Sequence, residues 1–126
     1  MKGDDIYQRF VEIAIRIIRL VKALPKDYIG MHIGNQLLKS GTSCGANYEE
    51  ARGSESNADF IHKLKIVLKE SRESIFWLKV IENAELMPSD SLNKIHKEFE
   101  ELANIIAQSI ITTQKRLINM SSEVKT

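Results

Sequence analysis

Cysteine, proline and glycine are all scarce in this chain, and each shortage removes a class of answer. The single cysteine, Cys44, excludes an internal disulfide and any zinc site built on several thiolates. Two prolines and six glycines are too few turn signals for an all-β sandwich or barrel. No run of about 18 apolar residues occurs, so no membrane span is expected. The opening MKGDDIYQRF turns acidic just after Lys2 and lacks the apolar centre of a signal peptide. An excess of one charge is also missing. Lys and Arg number 18 against 17 Asp and Glu, a formal net charge of +1. That excludes a uniformly basic nucleic-acid binder but not a basic patch. What is present is 126 residues, 43% hydrophobic and 28% charged. This is one domain with one packed core, and a reducing cytoplasm is the expected compartment.

Apolar residues recur at three- and four-residue steps, the helical period. In a first helix over residues 5–24 the stripe is Ile6, Phe10, Ile13, Ala14, Ile17, Ile18, Val21 and Leu24. Arg9, Glu12, Arg16 and Arg19 form a narrow wet stripe, and Val11, Ile15 and Leu20 fall between the two faces. Pro25 ends the helix, because the residue before a proline avoids helical angles. Asp27 can cap a second helix over 28–52, with Gly30, Ile33, Gly34, Leu37, Leu38, Gly41, Cys44, Gly45 and Tyr48 on one face. Each glycine costs about 1 kcal/mol against alanine in a solvated helix. Two readings follow: a neighbouring helix approaches the glycine face closely, or the helix breaks near Ser40–Ser43. Ser56 with Asp59 resembles a capping box for a third helix over 57–84, with a stripe of Phe60, Leu64, Val67, Ser71, Ile75, Leu78 and Ile81. Ser89 or Ser91 can cap a fourth over 90–118, lined by Leu92, Ile95, Phe99, Leu102, Ala103, Ile106, Ile110, Thr113 and Leu117. Residues 119–126 read as a polar, frayed tail. Four long amphipathic segments and short loops predict an all-α fold over residues 1–118, an antiparallel up-down-up-down four-helix bundle.

The core needs one stripe per helix, and there is more apolar surface than that. The first helix is apolar over much of its circumference. Ile105 and Ile111 flank the fourth stripe, while Phe76 and Trp77 lie off the third. Such leftovers predict self-association, against the plainer reading that they cover helix edges within one subunit.

Catalytic chemistry finds little support. A di-metal bundle site needs Glu-x-x-His on two helices, and only Asp59-x-x-His62 has that spacing, off the core stripe. His32, His62 and His96 belong to no arrangement that makes a triad. Cys44 on an apolar face reads as a buried, inert thiol. Glu49, Glu50 and Arg52 read as charge contacts at a helix end. No enzyme, cofactor, metal or small-molecule substrate is expected.

The cations say more. Lys65, Lys69, Arg72 and Lys79 fall within about 40° of a common line at 100° per residue, with Phe76 on the same side. Spaced cations beside an aromatic ring suit a phosphate backbone and a stacked base. Arg9, Arg16, Arg19 and Lys22 form a second run on the first helix. A plain solvated face is the rival reading, since Glu12, Glu70 and Glu73 lie nearby.

Two stretches carry a resemblance: Asn35 to Ala51 (NQLLKSGTSCGANYEEA), and Glu55 to Ser74 (ESNADFIHKLKIVLKESRES) followed by Trp77-Leu78. They resemble the four-helix bundle protein family typified by proteins encoded in 23S rRNA intervening sequences. Cys44 stands where an aliphatic residue is expected. The chain is also similar to the accessory protein of diversity-generating retroelements, a basic pentamer associated with nucleic acid. The resemblance implies a ring-like homopentamer, an rRNA connection and no catalytic residues. At its matched polar positions Asn47, Glu50, Asp59 and His62 it implies helix-end hydrogen bonds or subunit contacts. The expectation is a non-enzymatic homo-oligomer contacting RNA or DNA through Arg9, Arg16, Arg19, Lys65, Lys69, Arg72 and Lys79, with Phe76 and Trp77 as interface candidates. The alternative is a protein–protein interaction or scaffold module.

Overall fold

The computed structural model describes residues 3–125, with side chains through residue 121. Among these residues there are four helices and no strand: α1 (Asp4–Ala23), α2 (Tyr28–Arg52), α3 (Asn57–Asn83) and α4 (Ser89–Lys125). Neighbours in sequence pack against each other, α1 meets α4 over a much shorter stretch, and neither diagonal pair comes close. This is the antiparallel up-down-up-down bundle.

Local chemistry sets most of the ends. Asp27 Oδ1 accepts the Gly30 amide at 2.8 Å, and Ser56 Oγ accepts the Asp59 amide at 3.1 Å, so both side chains satisfy donors that a helix start leaves free. At the end of α3, Glu85 adopts a left-handed φ of 57°, and the Leu86 amide reaches back to the Ile81 carbonyl at 3.0 Å. Two ends differ from expectation. Ser89 lies inside the first turn of α4 rather than capping it, and the Ser91 amide bonds the Pro88 carbonyl instead. α4 also runs past Ile118 to Lys125. A solvated helix needs no apolar stripe, so a polar stretch does not end one. Thr126 lies outside the described residues.

The core is built from Phe10, Ile13, Ile17, Leu37, Leu64, Leu78, Phe99, Leu102 and Ile106, all essentially without exposure. Leu20 joins it, whereas Ile18 faces outward. In α3 the buried row is Ile61, Leu64, Val67, Ser71, Ser74, Leu78 and Ile81. Phe60 and Ile75 sit half-buried on its flank. α3 lies between α2 and α4, and the serine at 74 is buried there while the larger isoleucine beside it is not.

α2 is continuous through Ser40–Ser43, so the glycine face reflects close approach rather than a break. A Cβ at Gly41 would lie 3.1 Å from two carbons of Ile17, and one at Gly45 would lie 3.1 Å from Phe10 Cβ. On its other side α2 meets α3 through small polar groups. The Ser40 and Ser74 hydroxyls are 2.9 Å apart, and Cys44 Sγ donates to the Ser40 carbonyl. Burial pushes the Cys44 thiol up to about 11, so it stays protonated and un-nucleophilic at neutral pH. Among the described residues no helix is long and apolar enough to cross a membrane.

Candidate nucleic-acid interface

α3 turns its apolar row inward, and the opposite face carries the cations. Lys65, Lys69, Arg72 and Lys79 are all exposed, and none has an ion-pair partner among the described residues. Lys63, only two positions from Lys65, is committed to Glu50 at 3.7 Å. Phe76 lies along the same row and is 56% exposed. Its ring meets Trp77 edge-on at 4.9 Å. Trp77 is half-buried, with its indole N–H donating to Glu73 Oε1 at 3.4 Å and its ring edge-on to His32 at 6.4 Å. Beside Phe76 a groove of about 610 Å³ is walled by Ile75, Lys79, Val80 and Ala84. An aromatic floor next to a cation, with further cations spaced along the helix, can stack a base and follow phosphates.

The second basic run does not join this row. α1 and α3 are diagonal in the bundle, so their cations face apart. Arg9 is engaged inside the molecule. Its Nε donates to Glu98 Oε2 at 3.0 Å and its Nη2 to Glu98 Oε1 at 2.7 Å, and Glu101 lies 3.1 Å away. The paired guanidinium holds the Glu98 carboxyl below the usual range. Arg16 and Arg19 instead line a groove of about 420 Å³ with Lys94 and Asp90 of α4.

The polar positions matched by the resemblance do not converge. Asn47 Nδ2 donates to the Ser43 carbonyl at 2.9 Å within α2, and Glu50 reaches Lys63 across to α3. Asp59 and His62 are exposed on the first turns of α3. Among the described residues, no three His, Cys, Asp or Glu side chains cluster as metal ligands.

Part of the surplus apolar surface is exposed, while Leu20 is in the core and Val11, Trp77 and Ile105 are half-buried. Ile15 is 42% exposed, Ile18 41% and Ile111 44%, with Tyr28, Ile29 and Met31 open on the first turn of α2. Ile15 and Ile18 stand three positions apart on α1. Ile15 lines a shallow groove where Val11 and Ala14 meet Thr42 and Ala46 of α2.

One feature escaped the sequence reading. Tyr48 and Arg52 of α2 face Gln108, Thr112, Thr113 and Arg116 of α4 across a groove of about 480 Å³. A polar Thr113 in core phase was its one visible trace.

Comparison with known proteins agrees with this architecture. A crystallised protein of unknown function from Bacteroides thetaiotaomicron, of the S23 ribosomal protein family, is 34% identical and superposes with a TM-score of 0.79. The similarity covers 83% of this chain and 97% of that one. No curated protein matches. Residues 2–108 match the 23S rRNA-intervening sequence protein family, leaving only the last turns of α4 outside. The chain belongs to the 23S rRNA-intervening sequence protein family.

Proposed function

We propose that this protein is a non-enzymatic, cytoplasmic homo-oligomer, a pentamer as its resemblance implies, which holds RNA or DNA against the basic face of α3. The observation that carries the reading is the row Lys65, Lys69, Arg72 and Lys79 with Phe76 exposed among them, all four cations unpaired among the described residues. At near-neutral net charge one such row binds weakly. Repetition of the row around a ring multiplies the contacts, which links the two halves of the reading.

The nucleic-acid half is tested by titrating a single-stranded RNA oligonucleotide at several salt concentrations. Against the parent chain, a Lys65→Glu/Lys69→Glu/Arg72→Glu variant is expected to bind about tenfold more weakly. Its log–log salt slope should be shallower by about 2 units, since each lost phosphate contact removes roughly 0.7. Unchanged affinity and slope would reject this surface.

The assembly half rests on Ile15 and Ile18. Light scattering of the parent chain at micromolar concentration is expected to give an oligomer, and Ile15→Glu/Ile18→Glu a smaller species of unchanged helicity. A monomeric parent would remove the assembly reading. An oligomer that binds no nucleic acid would favour the scaffold alternative, for which the open apolar first turn of α2 is the supporting feature.

A further inference from the structure

The groove between Tyr48, Arg52 and the last turns of α4 lies apart from the basic row of α3, and its chemistry is different. Tyr48 is only 9% exposed, and its hydroxyl, the accessible end, has no hydrogen-bond partner among the described residues. That hydroxyl lies 3.0 Å from where a Cβ at Gly3 would sit, and Gly3 borders the groove. The ring is packed away while the hydroxyl meets solvent in the groove, which leaves it available to a ligand. Burial also pushes its pKa up, so the phenol keeps its proton at neutral pH.

The neighbouring donors are partly uncommitted. Arg52 uses Nη2 on Asp4 and Nη1 on Glu49, and its Nε lies 3.6 Å from the same Gly3 position. Arg116 also lines the groove and has no ion-pair partner among the described residues. Thr112 accepts from Gln108 Nε2 at 3.4 Å and keeps its own hydroxyl proton to donate. The Phe60 ring provides an apolar wall. The unpaired Arg116, the two hydroxyls and the remaining Nε of Arg52, which is otherwise held by Asp4, Glu49 and the Tyr7 ring, can donate to the terminal oxygens of a phosphate monoester. The volume of about 480 Å³ is within the range of small-molecule sites.

We propose that this groove binds a nucleoside 5′-monophosphate, with the phosphate between Arg116, Arg52 and the Tyr48 hydroxyl and the ring against Phe60. The α4 side of the site includes Ser109 to Arg116, which lie beyond the family match ending at residue 108. The site is thus independent of the reading on α3.

The test is calorimetric titration of the full chain with AMP, GMP, CMP and UMP, and with adenosine and inorganic phosphate as fragments. At least one monophosphate is expected to bind saturably, tenfold or more tighter than either fragment. Arg116→Gln is expected to weaken that binding about tenfold and Tyr48→Phe about fivefold, the losses usual for one charged and one neutral hydrogen bond. Both variants keep the packed carbon framework, so unchanged melting serves as the control. The Lys65→Glu/Lys69→Glu/Arg72→Glu protein should bind the monophosphate as the parent does. No saturable binding of any of the four, parent-like affinity in either groove variant, or loss of binding in the α3 variant would each overturn the assignment. Inorganic phosphate binding as tightly as the nucleotides would overturn it too.

Discussion

Gly41→Leu is expected to lower the melting temperature by roughly 10 °C. The first added carbon alone would lie 3.1 Å from both Cγ1 and Cγ2 of Ile17, a residue with no exposure. Three further carbons have no space unless α1 moves away. Leucine favours helix over glycine by about 1 kcal/mol, which works against the effect. Overpacking a tight core costs about 1–3 kcal/mol and more when backbones must part. The net loss should be about 3 kcal/mol, and a chain of this length loses about 4 °C per kcal/mol. A second substitution tests the cause. Ile17→Ala alone should destabilise by several kcal/mol, as large-to-small core changes do. In Gly41→Leu/Ile17→Ala the bulk moves from one helix to the other, and the double variant should be at least about 1 kcal/mol more stable than the sum of the two losses. Simple additivity would show that the two residues do not press on each other.

Gly30→Ala should act almost as strongly through a single methyl group. A Cβ there would lie 2.0 Å from the Pro25 carbonyl oxygen, a backbone atom with no rotamer to change. Either the Pro25–Asp27 turn or the first turn of α2 must give way. The bond from the Gly30 amide to Asp27 would go with it. Loss of that cap alone costs about 1 kcal/mol, so Asp27→Ala sets the lower reference. Gly30→Ala is expected to cost about 3 kcal/mol by chemical denaturation, with most of it remaining when Asp27 is already alanine. A Gly30→Ala protein as stable as the parent would show that the turn relaxes freely.

Features determined within a few residues were readable from the sequence. Asp27 and Ser56 cap as expected because a cap bonds an amide three positions on. The basic row on α3 was readable because one helix carries all of it. Apart from the two ends of α4, what differed needed partners far along the chain. Ile18 outranks many residues in hydropathy, yet Leu20 takes the core position, because the placement of α2 and α4 decides which side of α1 is covered. Ser74 displaces Ile75 because the α2–α3 contact is close there and Ser40 supplies a hydroxyl partner. The choice between a broken and a tightly packed α2 depended on where Ile17 and Phe10 lie. Arg9 resembled Arg16 and Arg19 until Glu98, 89 positions away, was seen to hold it. The Tyr48 groove draws on α2, α3, α4 and the residue that precedes α1 at once, so only Thr113 hinted at it.

The short contact between α1 and α4 gives the bundle an unequal girth. Three seams are packed along their length, and the fourth is fastened on its outer side by the Arg9 fork on Glu98 and Glu101. A fastening made of charge responds to acid, and the α1–α2 seam carries one as well in the Asp4–Arg52 pair. Because Glu98 titrates below its ordinary value in the folded chain, its contribution is whole above that value and disappears as the pH falls through the lowered one. Acid therefore weakens the α1–α4 seam, whose charged link is the Arg9 fork, while Phe10, Ile13 and Ile17 still hold α1 to the core.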